Sequence, residues 1–576
     1  MRDPSSLWEV HIDVTVWAET PDLQAADASA QVGQEVETQW RTASREQFGD
    51  PLELLINVRS AGDTAPLWLD VPLLSSRVVD ALISASTIGR RDQIRSLIVE
   101  ATLGSASDTV IVVLRRTDWR AQSRAMTSSD AVHGDMHFTT WERSVIDTLT
   151  FQRLRGIKQL GLADYVYHTA VHTRFCHSLG TCAMAKRIMN SLEQRGAYRF
   201  APGEKSIVSM AALLHDVSHI PFGHTLEDEH PVFRNQERHD HPDRIRAFLG
   251  REDLAKALGR YGGEEVTSIL LADEDAPWKH HSPYQVQIVK NTICADLLDY
   301  LRRDSWFCAL VQDYDDRLLD AFEVVTCRPG EATSNKPHLV LRMARGAQLI
   351  PDILAETLNL LRMRQFLAER VYYNLKKIAY GAMLAKAVRL PRLPAHEFYG
   401  AQDHELLARL RHDKGLPPDT RVLAGAIAAR NRYARAYTLD RGSFPEERVT
   451  KWEQFLSKHR EQANARESDE SFIVAELNAG GFADIREPDV VVYSPSTDMS
   501  LKEALVLAVA PNDEVKTVQD MKLPEVTEIY RRYHGIWRFC LFVNREKFGD
   551  QTRIDALREI CRGRFDGLRT TDDVEL

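Results

Sequence analysis

The pattern of apolar and polar positions gives the chain several textures. From Trp8 to Trp17 it alternates, with Val10, Ile12, Val14 and Val16 on one side and His11, Asp13 and Thr15 on the other. Period two over that length predicts a half-buried strand. Residues 52–58 and 109–114 read as further strands and residues 26–48 and 76–84 as helical segments, so an α/β region is expected over 1–120. The polar, weakly periodic stretch 117–129 is the expected boundary. From about Asp130 to Ala395 apolar residues recur three and four apart, as in Ile207, Val208, Met210, Ala211 and Leu214, which predicts helices. Residues 357–385 read as one long helix with arginines on one face. Residues 396–470 read as a polar helical extension, with 446–466 a solvated surface helix. A second α/β region is expected over 471–576, where Pro488-Asp489 opens the apolar run 490–493 and 536–544 is another strand. The expected fold is mainly α, a helical core over 121–395 flanked by smaller N-terminal and C-terminal α/β regions.

Composition narrows what such a chain can do. At 576 residues it is too long for one ordinary core. With 44% hydrophobic and 27% charged residues it has the balance of a soluble globular protein, and it contains no apolar run that predicts a bilayer span. The start, MRDPSSLWEV, has no basic end followed by an apolar stretch, so no secretory signal is expected. Seven scattered cysteines, never in a C-x-x-C pair, fit a reducing cytoplasm and argue against a disulfide framework or a thiolate zinc site. The net charge of -10 gives no bulk attraction for nucleic acid or anionic membrane. A polyanionic substrate would have to be held by local cations or a metal.

Candidate chemistry is concentrated in one stretch. His168, His172, His177, His215, His219, His224, His230, His239 and His241 fall between positions 168 and 241, interspersed with carboxylates. That is the composition of a metal or acid–base site. In Leu213-Leu214-His215-Asp216 an apolar helix ends on an adjacent imidazole and carboxylate, a costly pair to bury unless a cation compensates it. Nitrogen and hard oxygen donors together suit zinc, iron or manganese, or magnesium with more water. A lone His-Asp dipeptide is more often a satisfied structural pair, so the surrounding motifs decide.

Those motifs are Val132-His133-Gly134, then Phe151-Gln152-Arg153-Leu154-Arg155-Gly156-Ile157-Lys158-Gln159-Leu160-Gly161, then Thr173-Arg174-Phe175-Cys176-His177-Ser178-Leu179-Gly180. They continue with His215-Asp216-Val217-Ser218-His219-Ile220-Pro221-Phe222-Gly223-His224, Asp296-Leu297-Leu298-Asp299-Tyr300-Leu301-Arg302-Arg303-Asp304, and Arg364 followed by Arg370-Val371-Tyr372. Over roughly 130–385 the chain resembles the HD-domain deoxynucleoside triphosphate triphosphohydrolases, a family that includes a vertebrate branch with a sterile-alpha-motif domain and bacterial relatives. The resemblance implies metal ligation by His177, His215, Asp216 and Asp296, holding Fe, Zn or Mn, with room for Mg as a second ion. It implies a catalytic set of His219, His224, Glu227 and His239, with His239-Asp240 standing for a usual His-Glu pair. Arg174 falls on a phosphate-contacting position and Arg364 on one that reaches the distal phosphates. Gln159, Tyr300 and Asp304 fall on positions that hold the sugar, and Leu160 and Tyr372 on positions that crowd its 2′ side. Asp147 and Arg155 match positions that bind a nucleotide activator; the alternative is that they pair within the helical core. Leu297, Ala368, Asn374 and Leu375 replace polar or basic residues of the family's triphosphate pocket.

The expected function is therefore metal-dependent hydrolysis of a deoxynucleoside triphosphate to deoxynucleoside and triphosphate, by a homo-oligomer in the cytoplasm that neither enters membranes nor favours nucleic acid as a partner. A first rival is HD phosphohydrolysis of a nucleoside monophosphate, a cyclic nucleotide or a single-stranded nucleic-acid end. A second is a nucleotide-binding sensor or assembly protein.

Overall fold

The computed structural model describes residues 10–17, 54–60, 96–102, 109–117 and 124–568, apart from 202, 230–231, 233–237, 260–262, 272–281, 291, 328–335, 444–448, 462, 496–505, 512–513 and 566–567. In the N-terminal region Val10–Trp17 pairs in parallel with Leu54–Ser60 and antiparallel with Thr109–Thr117, which pairs antiparallel with Ser96–Thr102. Three of these four strands fall where the apolar pattern put them; Ser96–Thr102 was not anticipated. The helical segments expected at 26–48 and 76–84 lie outside the described residues. The stretch expected as a boundary instead contains the strand Arg124–Asp130, paired antiparallel with Gly134–Thr139. Asp130 closes that hairpin by accepting the N–H groups of Val132 and His133, both at 3.0 Å, an Asx turn that hydropathy does not register.

Five helices carry the candidate site: α1 (Arg174–Gln194), α2 (Glu204–Leu214), α3 (Ala295–Phe307), α4 (Pro351–Leu367) and α5 (Leu375–Arg389). Thr173 caps α1, its side chain accepting the N–H of Cys176. Helix α2 is buried continuously from Val208 to Leu214, as its run of apolar and small residues predicts, and so must end inside the protein. Helix α1 packs against both α2 and α3. Its approach to α3 depends on Gly180, where a Cβ would lie 1.9 Å from Asp299 Oδ1 and 2.5 Å from Arg303 Nη2.

The helix expected over 357–385 is two helices, α4 and α5, separated by a π turn at Ala368–Tyr372. Asn374 explains the break: its side chain accepts the N–H groups of Lys376 and Lys377 at 3.0 and 3.4 Å and gives α5 its own start.

The segment expected as a helical extension is also mixed. It contains the helices Asp403–His412 and Pro418–Ala428, then the strand Ala434–Asp440, which pairs antiparallel with Arg538–Val543. Val490–Tyr493 pairs antiparallel on the other side of Arg538–Val543. Both faces of Ala434–Asp440 are largely covered, so it lacks the alternation that marks a half-buried strand. Within the stretch 446–466, the described helix Val449–Glu461 is not a solvated one. Trp452 and Leu456 are buried on Val449–Glu461, and His459 is buried against Asp469 at 2.8 Å. The helix Ala463–Ala479 crosses the division placed at 470/471, and Leu507–Val509 pairs in parallel with Lys336–Arg342 of the core. Lys386 of α5, buried, reaches Glu470 at 3.0 Å and the carbonyl of Val490 at 2.7 Å. Among the described residues no helix is long and apolar enough to cross a membrane.

The close α1–α3 crossing makes a test. Gly180→Ala should lower the unfolding free energy by about 1–3 kcal/mol, the usual cost of overpacking. Urea denaturation of the variant beside the parent measures it, and an unchanged midpoint would mean that the two helices have room to separate.

Candidate metal centre and active site

The end of α2 and the starts of α1 and α3 converge. His215 follows the last residue of α2, and its Nδ1 lies 2.8 Å from the carbonyl oxygen of Ala212. His177, one turn into α1, places Nδ1 2.7 Å from Asp299 Oδ2. With Nδ1–H donated to these acceptors, each ring offers Nε2 as a ligand. The two Nε2 atoms are 3.2 Å apart. Asp216 and Asp296 surround them: Asp296 Oδ1 is 3.0 Å from His177 Nε2 and 3.7 Å from His215 Nε2, and Asp216 Oδ1 is 3.5 Å from His215 Nε2. Donor atoms of His177, His215 and Asp216 all lie within 4.8 Å of one another, a group able to hold a metal ion. Asp296 is 33% exposed while His177 is buried, so the centre is open on the α3 side.

The electrostatics fit a cation. Burial alone would raise the carboxyls of Asp216, Asp296 and Asp299, yet the cations and imidazoles around them hold all three below the ordinary carboxylate range. Burial likewise opposes charge on His177, but hydrogen bonds that its ring donates to Asp296 and Asp299 raise it to about 10. A ring so strongly pushed to protonate marks a place built for positive charge. Two unprotonated Nε2 atoms at 3.2 Å would repel, and a divalent ion ligated by both removes that repulsion.

Asp299 lies within a sequence motif that by itself implies no role for it. Arg303 grips it at 2.9 Å with two nitrogens, His133 Nε2 lies 2.6 Å from its Oδ1, and Arg303 also holds Asp130 at 2.8 Å. The readable signal was the spacing of Asp296 and Asp299, three apart on one helix face.

The next cluster is the histidine set. His219 and His239 stack with centroids 3.8 Å apart, and His224 meets them edge-on at 4.8 and 5.0 Å. Their ligand atoms also lie within 4.8 Å of one another, a second group able to hold a metal. Glu227 Oε2 is 2.7 Å from His239 Nδ1 and 3.5 Å from His219 Nδ1. Asp240, expected to stand beside His239, instead faces Arg238 at 3.3 Å and is largely exposed. The carboxylate partner is Glu227. Burial, aided by the charge of Arg174, lowers His219 to about 3, so this ring is neutral. The turn before His224 places Phe222 at φ 63° and Gly223 at φ 45°. A side chain at 223 would lie 2.6 Å from Arg174 Nη2, so glycine is required.

Arg174 is buried and donates from Nη1 to Asp216 Oδ2 at 2.6 Å, while its Nε and Nη2 have no hydrogen-bond partner among the described residues. Orphaned buried donors on a cation are costly, and an anion beside the centre would satisfy them.

The residues expected to hold the sugar also meet. Asp304 Oδ1 lies 2.9 Å from His172 Nε2, and its Oδ2 accepts the Tyr372 hydroxyl at 2.7 Å. Arg364 lies over the rings of Tyr372 and Tyr300, 5.0 and 5.3 Å from their centroids. Gln159 donates its backbone N–H to the His172 carbonyl at 3.0 Å and keeps a buried side-chain oxygen without a partner among the described residues; Leu160, next in the chain, is buried. His172, stacked on Phe307 at 4.6 Å, had been given no role. Asp147 and Arg155 are both exposed. Asp147 faces Arg143 at 3.3 Å, and Arg155 bonds Gln152 at 2.7 Å over the Phe175 ring. The alternative that they pair within the core does not hold.

Comparison with known proteins agrees with this geometry. Residues 174–304 match the HD domain. A deoxynucleoside triphosphate triphosphohydrolase SAMHD1 homolog of Dictyostelium discoideum is 28% identical over 215 residues, 36% of this chain and 42% of that protein. The SAMHD1 enzyme of Gallus gallus is 26% identical over 324 residues, 52% and 48% of the two chains. An uncharacterised protein of Mycoplasma pneumoniae is 33% identical over 187 residues, 31% and 42%. The chain thus spans less than half the length of each of these relatives. A solved structure of a hypothetical protein from Aquifex aeolicus shares the fold, with a TM-score of 0.52 and 21% identity over 75% of this chain and 99% of that one. Residues 174–304 therefore carry an HD domain, and around it the chain is similar to proteins named as deoxynucleoside triphosphate triphosphohydrolases.

Proposed function

We propose that the protein hydrolyses a deoxynucleoside triphosphate to deoxynucleoside and inorganic triphosphate. The observation that carries this reading is Arg174, a buried guanidinium with two unpartnered donors beside the His/Asp centre. His177, His215, Asp216 and Asp296 would hold a divalent metal, which when bound supplies an activated water and charge neutralisation at phosphorus. Arg174 would bind the α-phosphate as a planar fork. His224 or His239 would donate the proton to the departing 5′-oxygen, a role worth typically ~10²–10⁴-fold. Glu227 orients His239 through Nδ1, leaving Nε2 for that transfer. Asp304, with Gln159 and Tyr300, would hold the 3′-hydroxyl. Tyr372 and Leu160 would exclude a 2′-hydroxyl, and Arg364 would receive the distal phosphates. The names of the SAMHD1 relatives support the same reading.

One observation favours a second reading, hydrolysis of a nucleoside monophosphate or a nucleic-acid end. Leu297 and Ala368 are buried in the apolar core, and Asn374 is occupied as a helix cap, so none of them offers a cation to a triphosphate tail.

Metal binding is tested by His215→Ala and Asp216→Ala, which should strip bound metal and abolish hydrolysis while the circular dichroism of the chain is retained. Full metal occupancy with normal turnover in both variants would remove the centre from the mechanism. Deoxynucleotides should be preferred over ribonucleotides by roughly tenfold or more, since crowding at the 2′ side costs more than about 1.4 kcal/mol. Equal rates on both sugars count against the assignments of Tyr372 and Leu160. Chromatography of the products should show triphosphate and deoxynucleoside in equal amounts. Arg364→Ala should weaken triphosphate binding by about 1.5–3 kcal/mol without moving the cleaved bond. Release of orthophosphate and a diphosphate would instead reverse the orientation and bring the second reading forward.

A further inference from the structure

Arg244, on the helix Pro242–Leu249, belongs to none of the motifs above, yet it reaches the centre of the histidine set. Its Nη1 lies 2.8 Å from Glu227 Oε1, with side-chain exposures of only 1% and 0%. Its Nε donates to the carbonyl oxygen of Ser218 at 2.9 Å, and the hydroxyl of Ser218 donates to the carbonyl oxygen of His239 at 2.6 Å. The guanidinium lies 5.1 Å from the centroid of the Tyr399 ring. Glu227 presents its other oxygen to His239 Nδ1 at 2.7 Å. One guanidinium thus touches both the carboxylate that orients His239 and the residue, Ser218, whose hydroxyl holds the His239 carbonyl.

We propose that Arg244 is a positioning residue: by its ion pair with Oε1 of Glu227 it aims Oε2 at His239 Nδ1 and so fixes the orientation and tautomer of the His239 ring. The inference rests on the phosphohydrolase reading for its catalytic consequence and on geometry alone for the orientation. A buried carboxylate that lost its guanidinium would turn away or take up a proton, and in either case His239 would lose the acceptor that fixes its tautomer. The contacts of Arg244 named above are with Glu227, Ser218 and Tyr399, none of them a proposed metal ligand or substrate-holding residue, so the effect should fall on turnover.

Arg244→Met keeps the aliphatic stem and removes the charge. It should lower kcat by roughly 10–100-fold, less than the loss of a general acid itself and typical of losing an outer-shell partner, with KM within about threefold and metal content unchanged. Arg244→Lys, which restores a cation, should recover most of the loss. The double variant Arg244→Met with Glu227→Gln should be little worse than either single change, because both act through one contact. A crystal structure of Arg244→Met should show Glu227 turned from His239. Unchanged kcat in a folded variant, a loss shared equally by KM, or strictly additive effects would overturn the proposal. Should Arg244→Met fail to fold, Arg244→Lys and Glu227→Gln carry the kinetic comparison. If the parent chain hydrolyses no phosphoester, the functional reading falls by itself. The orientation is then decided by the Arg244→Met structure, where an intact Glu227–His239 contact would overturn it.

Discussion

Two imidazole nitrogens 3.2 Å apart, with Asp216 and Asp296 around them and Asp299 behind one ring, form an arrangement that needs positive charge to persist. Protonating His177 meets part of that need, which is why its affinity for a proton is raised so far. A divalent cation meets it better, since it is attracted by the carboxylates and ligated by both Nε2 atoms at once. Much of the surrounding protein can be understood as holding this charge pattern in place. Arg303 neutralises Asp299 and Asp130 together, and Gly180 lets α1 come close enough for Asp299 to reach His177.

A related constraint acts where α2 ends in the interior. Helix ends leave backbone carbonyls without partners, and burial makes each of them costly. Here three guanidinium groups serve three consecutive residues: Arg174 binds the Asp216 side chain, Arg153 the carbonyl of Val217 at 2.8 Å, and Arg244 the carbonyl of Ser218 at 2.9 Å. The crowding has an electrostatic cost. Burial, with Arg251 and Arg244 nearby, lowers Arg153 to about 9. The carboxylates of Asp216 and Glu227 offset that repulsion, so the arginines and acids stabilise each other as one network.

This explains which parts could be read from sequence. His177, His215 and Asp216 sit in short local motifs at helix ends, and their convergence follows from how those helices pack. Asp299 was harder, because its meaning lies in contacts with His133 and His177, distant in the chain. Arg244 carried no local signal at all: an arginine on a short amphipathic helix reads as a surface charge. The α4–α5 break was hidden because apolar periodicity runs on through it, while the deciding group is one capping amide on Asn374. Ala434–Asp440 was missed for the opposite reason, since a strand covered on both faces has no period to detect.

The region beyond the HD domain is also tied into the candidate site. Asp403, at the start of the helix Asp403–His412, accepts the N–H of Lys158 at 2.9 Å and the N–H of Phe222 at 2.7 Å. One of these precedes Gln159 and Leu160, and the other lies in the left-handed turn that delivers His224. A single buried carboxylate therefore sets the spacing between the segment of Gln159 and Leu160 and the turn that precedes His224. Burial pushes that carboxyl up to about 6 even though both N–H groups pull the other way, so its placement is costly and is sustained by the packing of the extension. The turn at Phe222 and Gly223 carries the strain of a positive φ at Phe222, and the N–H groups of Thr225 and Leu226 donate to its carbonyls at 3.0 Å each. It keeps its shape because Asp403 holds one side while Arg174 fills the space a side chain at 223 would take. The extension is in this sense part of the site's frame: it fixes where Arg174 and His224 stand relative to the centre that His177 and His215 define.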